Sequence, residues 1–355
     1  MSQPRASGYF RTDYSQDFRL VDTRTQRVAL AVFVACALVL PLAASSFALD
    51  LANQVLLATI GAVALMLLTG YAGQISLGHA GLLAAGAFTA GILFKEAGAP
   101  IWVTLPASGA VGAALGLIFG LPSLRLRGLY LAVSTLALHF IVIYLGGEYE
   151  TRRGFSTGVV IDPPVLFGWA LVDARAWYYL LLAAAAATIL LSLNLLRSRT
   201  GRAWRAIHGR EAVAGALGIS VHGAKLGAFV VSSTLTAMAG CLFAYYRGFV
   251  SAEAFSLFLT IQYVAMIIIG GMGSILGAVL GAVFVVLFPY AIEAAMKVSA
   301  LGDRLSSYVF AVNYAAFGLV MILFLVFEPQ GLVGIWRRTQ DWVLLWPFRQ
   351  RPLGK

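Results

Sequence analysis

The sequence predicts an all-α polytopic membrane protein, and three observations lead to this fold class. Hydrophobic residues make up 60% and charged residues 11% of the 355-residue chain, against about 45–50% and about 25% in soluble domains. Apolar runs long enough to cross about 30 Å of hydrocarbon recur along the chain. Basic residues cluster beside these runs, as they do in the cytoplasmic loops of membrane proteins. Because an α-helix closes its own backbone hydrogen bonds in lipid, we expect the runs to be helices.

Ten apolar runs are candidates for membrane crossings. They cover residues 28–47, 51–70, 77–94, 101–121, 129–146, 177–196, 226–246, 257–271, 275–292 and 308–327. The run at 257–271 is the shortest, and short or re-entrant helices are an alternative for such segments. The first run follows a basic segment, as a signal peptide would, but its leading region is long and the run is near full span length. We therefore interpret it as a retained first helix.

The distribution of positive charge predicts that both termini are cytoplasmic. With ten crossings and the N-terminus inside, 18 of the 25 Lys and Arg residues fall in cytoplasmic segments. A shift by one helix would reverse this ratio and violate the positive-inside rule. The chain then divides into a cytoplasmic tail at 1–27, a single transmembrane domain at 28–327 and a cytoplasmic tail at 328–355. Because the net charge of +10 is clustered beside the spans, it does not indicate nucleic-acid binding.

A basic and polar loop at 197–225 separates two strongly apolar halves and holds six of the Lys and Arg residues. Its Ala-rich middle predicts one helix at 203–217. The side chains that this helix would offer to a partner are those of Arg202, Arg205, Arg210 and Glu211. The alternative is a basic loop that contacts only lipid headgroups.

Asp, Glu, Lys and Arg do not occur near the centre of any of the ten runs. Such a residue costs about 2.5–3.5 kcal/mol to insert and usually marks an ion or proton pathway. Proton-coupled transport is therefore disfavoured. Sodium coupling through the backbone carbonyls of broken helices remains an alternative.

Two glycine-rich stretches, at 69–88 and 270–282, interrupt the apolar pattern. Irregular backbone at membrane depth is tolerated only where it is buried in protein or faces a water-filled cavity. We interpret the turn at 71–79 as part of a translocation path, and tight helix packing is the alternative. The candidate polar residues of the path are Gln74, Ser76, His79 and Gln262. Glycines at every fourth position, as in Gly112, Gly116 and Gly120, predict close helix contacts.

Two strong motifs of enzymes and nucleotide binding, HExxH and GxxxxGK[ST], do not occur in the sequence. Because the second identifies most ATP-binding loops, the chain is not expected to hydrolyse nucleotide itself. His139 has no second metal ligand one helical turn away, and we interpret it as a packed core residue. We therefore expect no catalytic residue, metal or cofactor in this chain. If ATP powers the protein, partner subunits hydrolyse it.

Several stretches, taken in order, resemble a known family. They are LLTGYAGQISLGHAGLLAAGAF at 67–88, LRLRGLYLAVSTLAL at 124–138, SRTGRAWRAIHGREAVAGALGISVHGAKLGAFVVSS at 198–233, GFVSAEAFSLFLTIQYVAMIIIGGMGSILGAVLGA at 248–282 and FEPQGLVG at 327–334. Together they are similar to the membrane permeases of bacterial branched-chain amino-acid ABC importers. Among the two related permeases of such systems, the longer, M-type permease is the more similar.

The resemblance implies that the 197–225 loop contains a coupling helix that docks in a cleft of an ATPase subunit. Glu211, Ala212 and Gly218 occupy the E-A-x5-G positions of the family's motif. The match departs from the full pattern, since Val213 replaces the second alanine and no I-x-L-P follows Gly218.

The resemblance also implies partners, location and substrates. The partners would be ATP-binding cassette subunits, a second related permease and a periplasmic substrate-binding protein, all at the bacterial inner membrane. A homodimer is the alternative to the pair of different permeases. The extracytoplasmic segment 148–175 is a candidate docking surface for the binding protein. The implied substrates are Leu, Ile and Val, with urea, short amides or other amino acids as alternatives, and a self-sufficient ion-coupled carrier is the alternative of a different class.

Overall fold

The computed structural model describes residues 24–124, 128–155, 158–166, 169–298 and 309–345. Its helices are α1 (Arg24–Ala43), α2 (Ser46–Leu65), α3 (His79–Ala97), α4 (Ile101–Ser123), α5 (Leu129–Arg153), α6 (Ala174–Arg197), α7 (Arg199–Gly209), α8 (Glu211–Ala216), α9 (Val221–Arg247), α10 (Leu257–Gly270), α11 (Ile275–Val298), α12 (Val309–Phe327) and α13 (Gly331–Leu345). A π-helical turn at Met66–Tyr71 continues α2, and a 3-10 helix covers Ala252–Phe255. The predicted all-α fold class is confirmed.

Seven helices in the described part of the chain are long and apolar enough to cross a membrane, namely α2 to α6, α9 and α11. The pair α12 and α13 is bent by 54° and would add an eighth crossing if it acts as one span. The helices α1 and α10 are apolar but shorter. Every predicted run overlaps a helix, although the first run, 28–47, extends beyond the end of α1 into α2. Ten complete crossings and the N-in, C-in orientation remain predictions. The tail predicted at 1–27 lies mostly outside the described residues.

Helix α1 is held to α6 by two tyrosine hydroxyl groups. Pro41 lies inside α1 and has no N–H, so it cannot bond the carbonyl of Ala37 four residues earlier. The hydroxyl of Tyr178 donates to that carbonyl at 2.9 Å, and the hydroxyl of Tyr179 donates to Leu38 O at 3.1 Å. The carbonyl freed by the proline is therefore satisfied inside the protein, as a lipid environment requires.

Helix α9 is the centre of the bundle and packs against α2, α3 and α4. The backbones approach closely because glycines line the contacts. Gly112 on α4 lies against the backbone of Ser233, and Gly86 on α3 lies against the carbonyl of Ala237. Gly116 contacts Ser233 from the next turn of α4. The close contact predicted from the glycine spacing on α4 is confirmed.

Short strands lie at the end of the bundle where α5 ends and α6 begins. β1 (Val159–Val160) pairs antiparallel with β4 (Phe249–Val250), and β2 (Val165–Leu166) pairs antiparallel with β3 (Trp169–Ala170). Helices α7 and α8 lie at the opposite end, between α6 and α9. Following the predicted orientation, we call the end with the strands the outer end and the end with α7 and α8 the inner end.

The two glycine-rich stretches meet at the inner end. A side chain at Gly70 would collide with Met66 and with the backbone nitrogen of Gly273. Gly73 and Gly273 have φ angles of 70° and 76°, a region that residues with a Cβ rarely adopt. Only glycine therefore combines the contact and the turn geometry at this junction.

Candidate functional site

The loop between α6 and α9 contains two helices, not the single helix predicted at 203–217. Arg210 interrupts the helix with an extended backbone, at φ −154° and ψ 105°. Gly209, a poor helix former, precedes this break, and the acidic Glu211 follows it in the first turn of α8, where the helix dipole favours a negative charge. Gly218 then ends the loop's second helix with a φ of 83°, the left-handed conformation common after helix C-termini.

Helix α7 is anchored in the core of the inner end. Trp204 is fully buried, and its indole N–H donates to the carbonyl of Ala224 on α9 at 2.9 Å. Arg205 donates from Nη2 to Leu196 O at 2.7 Å, and Arg202 donates from Nη1 to Arg197 O at 2.8 Å. The two arginines therefore cap the last turn of α6, where the helix dipole favours a cation.

Helix α8 presents an apolar surface and one ion pair. Val213 is 50% exposed and Leu217 is 77% exposed, and the four-residue spacing places them on the same side of the helix. Glu211 faces the protein instead and pairs with Lys225 of α9, with 2.5 Å between Oε1 and Nζ. Of the residues predicted for this loop, Arg202, Arg205, Arg210, Ala212 and Gly218 are exposed, and Glu211 is half-buried.

The irregular segment between α2 and α3 alternates between buried residues, such as Gln74 and Ser76, and exposed ones, such as Ile75. Side chains of neighbouring helices bond backbone groups of the segment and of the start of α3. The N–H of Leu77 bonds Thr135 Oγ1 of α5 at 2.9 Å, and the N–H of Ala80 bonds Thr260 Oγ1 of α10 at 3.0 Å. Gly73 lies against His208 of α7. The segment therefore connects the membrane-embedded helices with the loop at the inner end.

Polar side chains of this segment are buried without protein partners. Gln74 is 3% exposed, and neither its amide oxygen nor its amide nitrogen has a hydrogen bond. His79 is 1% exposed, its Nε2 is unpartnered, and its ring lies 4.6 Å from the ring of Tyr263. Ser76 is also buried and accepts a bond from Gly78 N at 3.4 Å. A buried polar atom without a partner costs about 1–3 kcal/mol, so Gln74 and His79 carry unsatisfied hydrogen-bonding capacity inside the bundle.

Three of the four predicted path residues, Gln74, Ser76 and His79, are buried close together in the chain from the end of α2 to the start of α3. Gln262 is half-buried on α10 and projects about 100° around the helix from Tyr263. His139 is 3% exposed and packs against Phe140, as predicted for a core residue, while its Nδ1 has no partner. Sequence reasoning missed Thr135, Thr260 and Tyr263, although the three-residue spacing of the last two places them on one face of α10.

A second polar cluster, also missed from the sequence, lies near the outer end. Asp50 of α2 accepts bonds from Gln54 Nε2 at 2.7 Å and from the hydroxyl of Tyr246 on α9. The hydroxyl of Tyr290 on α11 donates to Gln54 Oε1 at 3.5 Å. This outer cluster connects α2, α9 and α11 on the side of the membrane opposite the loop.

A bundle of apolar helices with an irregular polar segment inside it defines a multi-pass membrane protein of the transporter class. Residues 47–326 match the family described as "Branched-chain amino acid transport system / permease component", and the chain belongs to this family. It is similar to the "High-affinity branched-chain amino acid transport system permease protein LivM" of Salmonella typhimurium, with 32% identity over 89% of this chain and 76% of the relative. The protein of that name from Escherichia coli is 31% identical over the same shares. No solved structure matches.

A more distant relative extends the same resemblance. The "Probable branched-chain amino acid transport permease protein LivM" of Methanocaldococcus jannaschii is 26% identical over 63% of this chain and 65% of its own length. The family resemblance seen in the sequence is thus confirmed, and the chain is a permease component of the branched-chain amino acid type. These relatives are transport components and not enzymes.

The sequence contains one match to a hydrolase motif. Residues 154–158 read GFSTG, which fits G-x-S-x-G, although Ser156 lies outside the described residues. In hydrolases this motif turns from a strand into a helix and exposes the serine. Here the segment follows α5 and leads into β1, the reverse order. The elements on either side of the match are therefore not those of a hydrolase nucleophile turn.

Proposed function

We propose that this chain is the membrane permease subunit of an ATP-driven importer in the bacterial inner membrane. It moves branched-chain amino acids by alternating access, and it is coupled to a separate ATPase through the loop at 197–225. The observation that carries this proposal is the apolar surface at α8. Val213 of α8 and Leu217 at its C-terminal end are exposed next to α7, which Trp204 anchors to α9.

The exposed surface of α8 supports the docking of a protein partner. Large apolar side chains exposed together at an aqueous surface are typical of interaction sites. Ala212 and the exposed Arg210 extend this surface, and the buried Trp204 fixes α7 to α9. A partner that moves α8 therefore acts on a rigid support rather than on a flexible loop.

The buried polar side chains in and beside the segment at 72–78 support the proposed translocation path. Gln74 and His79 supply neutral hydrogen-bonding groups, and Tyr263 covers the His79 ring. A zwitterionic amino acid with an apolar side chain needs polar contacts for its ends and close apolar contacts elsewhere. A path without a buried charge can pass such a solute without binding it tightly.

The remaining partners follow from the family. A second related permease supplies the other half of the membrane assembly, ATP-binding cassette subunits hydrolyse ATP, and a periplasmic protein delivers the substrate. The outer segment at 148–175 is the proposed docking surface for that protein. Its exposed charges include Arg152 and Arg153, which pair with Glu148 and Glu96 at 2.7 Å.

Reconstitution in liposomes tests the proposed function. The chain is purified with the permease, ATPase and binding protein encoded beside it, and uptake of Leu, Ile and Val is measured with and without ATP. We expect ATP-dependent uptake of these amino acids and none by the chain alone. Uptake of urea, a short amide or another amino acid in their place would change the assigned substrate. Uptake by the isolated chain in an ion gradient would contradict the proposal and identify an ion-coupled carrier.

A further inference from the structure

We propose that the ion pair between Glu211 and Lys225 is the mechanical link that delivers a displacement of α8 to α9. This inference rests on the proposed function and assigns a role to a residue outside the motif, Lys225. Lys225 is then a positioning residue that acts through Glu211. The motif glutamate contributes to coupling from inside the chain, while Val213 and Leu217 form the surface for the ATPase.

Lys225 is deeply buried, and its charge is paired with Glu211. Only 5% of its surface is exposed, and its Nζ lies 2.5 Å from Glu211 Oε1. A lysine is almost never so deeply buried unless it is paired. Removing one partner of such a pair leaves a buried charge uncompensated. The pair therefore resists separation when α8 is displaced.

A second contact beside the pair makes the connection rigid. Ala224, the residue before Lys225, accepts the indole N–H of Trp204 at 2.9 Å. One turn of α9 is thus held by α7 through Ala224 and by α8 through Lys225. Two attachments on neighbouring residues fix the orientation of the loop relative to α9, which a single contact could not do.

Helix α9 leads from this turn to the candidate path. Ser232, two turns further along α9, donates from Oγ to the carbonyl of Ala64 on α2 at 2.7 Å. Ala64 directly precedes the last residue of α2, after which the π-helical turn Met66–Tyr71 leads into the segment with Gln74. The contacts form a continuous route from α8 through α9 and α2 to the path.

The competing explanation is that the ion pair only stabilises the fold. A stabilising role and a coupling role predict different results when both charges are removed. Replacing both partners of a buried ion pair by neutral residues is often neutral or stabilising. If the pair only stabilises the fold, the neutral double variant transports normally. If the pair transmits motion, the double variant assembles normally but remains poorly coupled.

The experiment uses the complete reconstituted importer and measures solute uptake and ATP hydrolysis in the same vesicles. The variants are Glu211→Gln, Lys225→Met and the two combined, and Arg338→Met with Glu328→Gln is the matched control. The control removes another ion pair, of 2.7 Å, in which the Arg338 side chain is 69% exposed. We expect the combined Glu211→Gln and Lys225→Met variant to bind the ATPase as the unmodified complex does. Its uptake per ATP hydrolysed falls about tenfold, within the usual range of coupling between sites, and the control stays within about twofold.

Any other result would contradict either the proposed function or the role of the ion pair in coupling. An unmodified complex without ATP-dependent uptake would overturn the proposed function, and the inference with it. A transporting complex in which the neutral double variant couples normally would overturn the inference alone. Loss of ATPase binding in the double variant would also overturn it, because the pair would then support docking or folding rather than transmission.

Discussion

The hydroxyl group of Tyr178 supplies the hydrogen bond that a proline removes from a membrane helix. Pro41 removes the usual donor to Ala37 O, and Tyr178 replaces it from the neighbouring helix. Tyr179 makes a similar bond to Leu38 O, but the N–H of Leu42 can bond that carbonyl as well. The two tyrosines therefore differ in what their loss would leave unpaired.

We expect Tyr178→Phe to destabilise the packing of α1. The carbonyl of Ala37 would have no donor in an apolar environment, at a cost of about 1–3 kcal/mol. Thermal unfolding of the purified chain in bicelles measures this as a lower Tm. Tyr179→Phe is the control and should lower the Tm less. Equal effects of the two variants would contradict the special role of Pro41.

The amide of Gln74 presents the opposite situation, since both of its polar atoms are buried without a partner. Natural proteins retain such groups at functional sites, because activity there can require residues that lower the stability of the fold. Asn53 near the start of α2 is a useful comparison, because it is fully buried and its Oδ1 is unpartnered, but its Nδ2 donates to Ala174 O at 3.2 Å.

We expect Gln74→Leu to raise the stability of the protein while it lowers transport. Removing an unpaired buried amide should stabilise the fold by about 1 kcal/mol. Uptake by the reconstituted importer should fall about tenfold, which corresponds to about 1.4 kcal/mol of lost interaction with the solute. Asn53→Leu, which breaks an existing bond, should lower the Tm. Unchanged uptake in Gln74→Leu would favour packing as the only role of this segment.

At the scale of elements, glycine spacing predicted helix contacts correctly, and helix continuity in the loop was predicted incorrectly. The spacing on α4 is a local pattern, so it can be read from the sequence. Gly209 is a local signal for the break at Arg210, but the contacts on its two sides are not local, because Trp204 holds α7 and Lys225 holds α8 to α9. Such tertiary contacts join residues that are distant along the chain and leave no periodic signal.

We expect Gly86→Ala to disturb the packing of α3 on α9. A methyl group there would overlap the backbone carbonyl of Ala237, and overpacking of this kind costs about 1–3 kcal/mol. The control is Gly227→Ala, because nothing lies within 4 Å of a Cβ at Gly227. That control should stabilise α9 by about 0.5–1 kcal/mol through its higher helix propensity. The Tm values of both variants decide the question, and a tolerated Gly86→Ala would contradict the close approach of the helices.

At the scale of the whole molecule, composition and run length predicted the class and the helix positions. They did not predict which side chains meet, because Thr135, Thr260 and Tyr263 come from two helices far from the 71–79 turn in sequence. The candidate path was therefore predicted in part, from the irregular backbone alone. The predicted orientation of the protein in the membrane still rests on the distribution of positive charge alone.

We expect cysteine labelling to place the loop in the cytoplasm. In a variant with Cys36 and Cys241 replaced by Ala, a single cysteine is introduced as His222→Cys in the exposed first turn of α9 or as Asp162→Cys in the exposed outer segment. A membrane-impermeant maleimide should modify only the Asp162→Cys variant in spheroplasts and only the His222→Cys variant in inverted vesicles. The reverse pattern would contradict both the orientation and the coupling role of the loop.

The short length of α10 has a consequence for how the protein enters the bilayer. Its 14 residues extend about 21 Å, too little for a segment that inserts by itself. Only four residues separate it from α11, and the two helices contact each other through Gly270 and Gly277. We therefore expect α10 to leave the translocon together with α11 as a preformed hairpin, so that biogenesis of the second half depends on these glycines before any transport begins.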